Sequence, residues 1–249
     1  RYLYDNMDWN LPLILLTGPR GSGKTVLVLQ YIKFNNIPHD KALYVSLDDI
    51  YFETTPLIYL AEQFYEAGGR YLFLDEIHKY QRWAKDLKVI YDSLPGLQVI
   101  ATGTSTLNLL QGEGDLSRRA GFYHLPGLSF REYLSLQGKL DYPAISLENI
   151  IQNHASITPE ITDQIDVLAE FRQYLKQGCF PFFKEAPSQY YARLLSILNI
   201  VLETDIPAIH NIDYHTIRQL KKLLSLISES APFKPNISDL NRETHINRP

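Results

Sequence analysis

The segment Gly18–Thr25 reads GPRGSGKT and fits the pattern G-x-x-x-x-G-K-S/T, which is typical of loops that hold nucleotide phosphates. The apolar stretch Leu13–Thr17 before it predicts a buried strand, and Val26–Ile32 after it predicts a helix. Glycines let such a loop curl so that successive N–H groups point at an anion. We therefore predict that the chain binds a nucleoside triphosphate, and the predicted binding residues are Gly18, Pro19, Arg20, Gly21, Ser22, Gly23, Lys24, Thr25 and Val26.

Two residues of this phosphate-binding loop (the P-loop) have side chains with a chemistry of their own. Lys24 can reach the β- and γ-phosphates, and the Thr25 hydroxyl can ligate Mg²⁺. The alternative is a glycine-rich turn that fits the pattern by chance. A strand before the loop and a helix after it, in that order, argue against this alternative.

Two adjacent acids, Asp75 and Glu76, end a later apolar segment, Tyr71–Glu76. Asp75 is predicted to hold Mg²⁺ through water, opposite Thr25, and Glu76 to polarise the attacking water as general base. Taken alone, two acids at the end of a strand could be solvated turn residues. An acid directly after the Mg²⁺ aspartate marks the P-loop proteins in which an extra strand separates the two motif strands. We therefore predict that the strand Leu97–Thr102 lies between the first and the third strand.

Polar and cationic groups follow the fourth strand. A hydroxyl in the segment Thr102–Ser105, with Thr104 as the candidate, could bind the γ-phosphate or the attacking water, or could instead cap a helix. Arg118 and Arg119 could stabilise negative charge in the transition state. Their alternative is a salt bridge with an acid of the preceding segment, which contains Glu113 and Asp115.

The elements that must position these residues alternate between strand and helix up to Leu125, which predicts an α/β fold with a parallel sheet. After Leu125 the pattern is helical, with no convincing strand. The predicted strands are 13–17, 42–47, 70–75, 97–102 and 121–125, and the later helices are 129–136, 146–153, 160–177, 190–203 and 216–228. We predict a P-loop ATPase domain at 1–128, an all-helical region at 129–213 and a last module at 214–249.

Composition bounds the function classes. The chain has 249 residues and a net charge of −4, which gives no support to a strongly basic nucleic-acid binder, although a local basic patch stays open. Cys179 is the single cysteine, which excludes an intrachain disulfide and fits a cytoplasmic protein. No apolar run approaches the roughly 20 residues that span a membrane, so no membrane partner is expected.

With these residues considered together, the chain resembles bacterial and archaeal AAA+-type ATPases that carry a winged helix and a C-terminal PD-(D/E)XK nuclease-like domain. The resemblance extends over residues 12 to 240, and its more diagnostic stretches are Leu128–Leu134 (LSFREYL) and Gly178–Pro181 (GCFP). The other matching stretches are Gly18–Thr25, Leu74–Lys79, Ala101–Ser105 and Asp115–Ala120.

The resemblance implies a helical lid over the nucleotide, with Pro181 close to the adenine. It also implies a winged helix at the end of the chain, of which we expect only an incomplete segment at 214–249. No residues match the nuclease-like domain. ATP rather than GTP is expected from the resemblance, because the guanine-reading pattern Asn-Lys-x-Asp does not occur.

The sequence therefore predicts an Mg²⁺-dependent, AAA+-type ATP-binding protein that hydrolyses ATP slowly to ADP. A nucleotide-dependent switch with negligible turnover is the first alternative, and a DNA-associated motor is the second. In ring-forming relatives an arginine reaches the neighbour's nucleotide. We therefore predict that Arg118 or Arg119 acts on the nucleotide of a neighbouring copy in a homo-oligomer. Whether nucleic acid is a partner stays open.

Overall fold

Five parallel strands form the sheet that positions the candidate site. The structure is a computed structural model that describes residues 1–103, 116–207 and 212–229, with residues 234, 236, 240 and 242. The strands are β1 (Leu13–Thr17), β2 (Ala42–Ser46), β3 (Tyr71–Asp75), β4 (Gln98–Gly103) and β5 (Gly121–His124). Their order across the sheet is β2-β3-β4-β1-β5. This arrangement confirms the predicted α/β fold with a parallel sheet.

The strand β4 lies between β1 and β3, as predicted. Val99 of β4 pairs with Leu13 of β1 on one side and with Leu72 of β3 on the other, and all pairs are parallel. Because parallel strands point the same way, the carboxyl ends of β1, β3 and β4 meet at one edge of the sheet. The P-loop follows β1, and Glu76 follows β3, so both lie at this edge.

Helices cover both faces of the sheet, which explains why its central strands are rich in apolar residues. Every residue of β1 is buried. Leu13 and Leu15 face one core cluster, which includes Leu57 and Leu87, and Ile14 and Leu16 face the other. The helices of this part are α1 (Tyr2–Asn6), α2 (Lys24–Phe34), α3 (Tyr51–Thr54), α4 (Leu57–Glu66) and α5 (Trp83–Ser93).

The remaining described helices follow β5. They are α6 (Phe130–Gln137), α7 (Leu147–Thr162), α8 (Val167–Gln177), α9 (Tyr190–Ile200) and α10 (Tyr214–Glu229), and a π-helical segment, Val201–Asp205, follows α9. Within the part of the chain that the structure describes, no helix combines the length and the apolar character that a membrane crossing needs.

The boundary between α7 and α8 differs from the prediction. The predicted helices were 146–153 and 160–177, whereas α7 continues through Pro159 to Thr162 and α8 begins only at Val167. A proline removes one backbone hydrogen bond of a helix without always ending it. The new helix begins where the Asp166 side chain accepts a hydrogen bond from the Ala169 backbone N–H, at 3.0 Å.

Residue contacts divide the chain into two compact units, Arg1–Tyr190 and Tyr191–Pro249. The first unit contains the sheet and the helices α1 to α8. The second contains α10, whose bounds confirm the predicted helix at 216–228. The domain boundaries after residues 128 and 213 stay predictions. The winged helix also stays a prediction, because most of the residues beyond 229 lie outside the described part.

Candidate active site

The P-loop joins β1 to α2 at the carboxyl edge of the sheet. Gly18 has a φ of 155°, and a Cβ at this position would lie 2.2 Å from the Leu125 carbonyl oxygen, so no other residue fits there. Gly23, with a φ of 95°, is the N-cap of α2 and is left-handed. Glycine is therefore required by close approach at the first position and by backbone conformation at the second.

Lys24 is buried against this loop. Its Nζ donates hydrogen bonds to the carbonyl oxygens of Gly18 and Pro19, each at 2.9 Å. Burial lowers the pKa of Lys24 to about 8, and the carboxylates of Glu76 and Asp75 oppose the shift. An anion bound to the loop would compensate the ammonium for its lost hydration, so the arrangement fits a phosphate.

The Asp75 carboxylate accepts hydrogen bonds from four groups of the chain. Thr25 Oγ1 and Tyr44 OH donate to Oδ2 at 2.9 and 2.6 Å, and Thr102 Oγ1 and the Glu76 N–H donate to Oδ1. Burial raises the pKa of Asp75, but the side-chain hydrogen bonds outweigh burial and hold this pKa below its ordinary value. Asp75 is therefore ionised at neutral pH.

Two of the Asp75 donors, Tyr44 and Thr102, were not assigned this role from the sequence. Thr102 belongs to the segment in which a hydroxyl was predicted to bind the γ-phosphate or the attacking water. Its own hydroxyl instead donates to the Asp75 carboxylate. Burial and the hydrogen bond to Asp75 both raise the pKa of Tyr44, so its phenol keeps its proton and is the donor.

The oxygen atoms of Thr25 and Asp75 are suitable ligands for Mg²⁺. A hydroxyl oxygen and a carboxylate oxygen lie 2.9 Å apart, and Mg²⁺ prefers oxygen ligands together with substrate phosphates and water. Among the described residues, no group of three or more His, Cys, Asp or Glu could hold a metal ion by itself. A metal ion between Thr25 and Asp75 would therefore take its remaining ligands from phosphate and water.

Glu76 has an unusual backbone conformation directly after β3. Its φ of 53° is left-handed, which costs energy for a residue other than glycine and recurs at functional sites. Its Oε2 is buried, makes no hydrogen bond among the described residues and lies 3.3 Å from His78 Nε2. Burial raises the pKa of Glu76, while the Arg20 guanidinium opposes the shift.

A cleft of about 1130 Å³ opens over the P-loop. Its lining includes Arg20–Leu27 and Glu76, and on the other side Arg131, Glu132 and Pro181. Pro181 Cγ lies 3.7 Å from the position that a Cβ on Gly23 would take. The structure thus brings Pro181, 157 residues beyond Lys24 in sequence (181 − 24), next to the P-loop.

The N-terminal helix α1 also lines the cleft. Glu132 of α6 joins it to the helical region. Glu132 Oε1 accepts the Tyr2 backbone N–H at 2.9 Å and lies 3.1 Å from Arg1 Nε. Its Oε2 accepts from the N–H and the hydroxyl of Ser129, the N-cap of α6. One carboxylate therefore fixes α6 and ties α1 to it.

The two predicted arginines do not line the cleft. Neither Arg118 nor Arg119 is among the described residues that line the cleft. Arg119 pairs with Asp92 of α5 through two hydrogen bonds of 2.9 Å, from Nε to Oδ1 and from Nη2 to Oδ2. Thr104, like Ser105, Glu113 and Asp115, lies outside the described residues, and its role stays a prediction.

Comparison with known proteins gives one family match. A family model described as an AAA domain matches residues 10–134, which is half of the chain. The search of curated proteins found no match.

Several solved structures are similar to the chain at low identity. A Walker-type ATPase of Pyrococcus abyssi is 16% identical, with a TM-score of 0.45, over 95% of this chain and 85% of that one. The Pif1 helicase of Candida albicans is 14% identical (TM-score 0.38; 62% and 45% covered) and a katanin is 16% identical (TM-score 0.39; 63% and 60% covered). The family model, whose match holds both the P-loop and Asp75, places the chain in the AAA domain family, as a nucleotide-binding, ATPase-like protein.

Proposed function

We propose that the chain binds ATP together with Mg²⁺ and hydrolyses it slowly. One observation carries the proposal. Lys24 and Thr25 of the P-loop meet Asp75 at the carboxyl edge of the sheet, with the Thr25 hydroxyl 2.9 Å from the Asp75 carboxylate, and Glu76 follows directly. A phosphate-binding loop, a metal-binding pair and a candidate base at one edge are the parts that phosphoryl transfer to water requires.

Each of these residues has a separate task. The loop N–H groups and Lys24 bind the β- and γ-phosphates and hold them in line for attack. Thr25 and Asp75 would hold Mg²⁺, which neutralises charge that develops on the phosphate oxygens. Glu76 lines the cleft, and its carboxylate can accept a proton from water. The water oxygen then bonds to the γ-phosphorus while the bond to the bridging oxygen breaks, which gives ADP and phosphate.

The position of Pro181 is consistent with a nucleotide bound between the P-loop and the helical region. It lines the same cleft as the P-loop, so a base that extends from the phosphates can reach it. We infer that Pro181 packs on the adenine. The preference for adenine itself rests on the family resemblance.

A nucleotide-dependent switch is the second candidate. It is favoured because separate elements of the chain line the same cleft. Residues from α1, the P-loop and α6 line one cleft, so a bound nucleotide would contact three separate elements. A ligand shifts a conformational equilibrium only as far as it binds the two states differently. In this function the chain binds ATP tightly and turnover is negligible.

The rate of ATP hydrolysis with and without DNA distinguishes these functions. We expect slow, Mg²⁺-dependent release of phosphate that neither duplex nor single-stranded DNA changes. Tight ATP binding without measurable turnover supports the switch. Turnover that rises several-fold with DNA supports a DNA-associated motor and contradicts the proposal as stated.

The Arg119→Ala variant tests action between copies. We expect the wild-type specific activity to rise with protein concentration, because one copy supplies a cation to its neighbour's nucleotide, and we expect Arg119→Ala to bind ATP normally but lose this rise. The measurement is the ATPase rate per chain from nanomolar to tens of micromolar protein. Arg118→Ala run in parallel shows which of the two arginines acts.

Asp92→Asn is the matched control, since it removes the ion pair but keeps the Arg119 guanidinium. We expect this variant to keep the rise. A specific activity that stays flat in the wild type and in both arginine variants contradicts action between copies, and Arg119 is then a surface partner of Asp92.

A further inference from the structure

Tyr44 lies outside every motif of the chain, yet its hydroxyl contacts the centre of the site. It belongs to β2, the edge strand next to β3, where Tyr44 pairs with Phe73 and Ser46 pairs with Asp75. Tyr44 and Asp75 are therefore diagonal neighbours on one face of the sheet, within reach of a long aromatic side chain. The observed distance from Tyr44 OH to Asp75 Oδ2 is 2.6 Å.

The two donors to Asp75 Oδ2 are not equivalent. Thr25 is the proposed Mg²⁺ ligand, so its hydroxyl oxygen would turn its lone pair to the metal ion once a nucleotide is bound. Tyr44 comes from a different element and has no such second task. It can therefore keep its hydrogen bond to Oδ2 when the Thr25 hydroxyl turns to the metal ion.

The orientation of the Asp75 carboxylate depends on hydrogen bonds to both of its oxygen atoms. Thr102 and the Glu76 N–H hold Oδ1, and Tyr44 holds Oδ2. Hydrogen bonds from such outer partners orient a metal ligand, and their loss typically costs about 10- to 100-fold in metal affinity or activity.

We propose that Tyr44 is a positioning residue of the Mg²⁺ site, whose hydroxyl holds the Asp75 carboxylate in the orientation that meets the metal ion. The inference rests on the proposed Mg²⁺-ATP binding and deepens it. Its consequence is that the affinity for Mg²⁺ on a bound nucleotide depends on one phenolic O–H from the edge strand.

The Tyr44→Phe variant tests this inference, because it removes the O–H and keeps the ring. The readout is equilibrium binding of a fluorescent, non-hydrolysable ATP analogue as Mg²⁺ is titrated, and not the turnover rate. We expect Y44F to need about 10-fold more Mg²⁺ at the midpoint. Binding of the analogue in the presence of a chelator should match the wild type. Tyr59→Phe, which alters a half-exposed tyrosine of α4, serves as the matched control and should leave the midpoint unchanged.

The other outcomes overturn the inference in distinguishable ways. An unchanged or lowered Mg²⁺ midpoint in Y44F contradicts the positioning role, and a lowered midpoint means that Tyr44 competes with the metal ion. Equal losses of binding with Mg²⁺ and with chelator, together with a lower melting temperature, mean that Tyr44 acts only on the fold. If Mg²⁺ does not strengthen binding even in the wild type, the proposed function itself fails and this inference fails with it.

Discussion

The Glu76→Gln variant is expected to bind ATP like the wild type and to hydrolyse it about 10²–10⁴-fold more slowly, the usual cost of losing a general base. The amide cannot take up a proton from water at neutral pH. Its size matches that of the carboxylate, so the cleft keeps its shape. The measurement pairs a nucleotide-binding titration with single-turnover phosphate release.

Glu62→Gln on the exposed face of α4 is the matched control for this variant and should hydrolyse ATP at the wild-type rate. If Glu76→Gln releases phosphate as fast as the wild type, Glu76 is not the base. If it loses ATP binding as well, its main task is to maintain the site, through the left-handed turn after β3.

Replacing Lys24 by alanine should weaken Mg²⁺-ATP binding about 10- to 100-fold. Hydrogen bonds to charged groups contribute roughly 1.5–3 kcal/mol each, and about 1.4 kcal/mol corresponds to a tenfold change in affinity. The substitution also removes the ammonium that donates to the Gly18 and Pro19 carbonyl oxygens, so the empty loop loses two internal hydrogen bonds. Equilibrium titration with a labelled ATP analogue measures the effect.

Lys33→Ala is the matched control, because it also removes one lysine charge from the same helix. Lys33 is exposed in the last turn, away from the P-loop. This control should bind Mg²⁺-ATP like the wild type. Wild-type affinity in Lys24→Ala would show that the nucleotide site is assigned to the wrong residues.

Much of the candidate site could be predicted because its parts are contiguous in sequence. Gly18–Thr25 makes a strand, a loop and a helix N-terminus from neighbouring residues, and its glycines satisfy local requirements of backbone conformation and close approach. The position of β4 between β1 and β3 was predicted from one acid, Glu76, since that feature accompanies a particular strand order. Parallel strands then bring Asp75 to the edge where Thr25 lies, 50 residues earlier.

Other parts of the site have no local pattern that could reveal them. Tyr44 reaches Asp75 only through the register of β2 against β3, and a shift of one residue would turn its side chain to the opposite face. The helix α1 has five residues, too few for a periodic pattern, and it lines the cleft because Glu132 binds it from far along the chain.

The sequence by itself determined the strand–loop–helix unit, the parallel α/β fold and the acids that end β3, because backbone conformation and hydrophobic periodicity are properties of neighbouring residues. The tertiary structure alone decided that Tyr44 and Thr102 donate to Asp75, that Arg119 pairs with Asp92 and which residues face Pro181 across the cleft. These contacts join residues from distant parts of the chain, and hydrogen bonds of that kind depend on strand register and helix packing to within about an ångström.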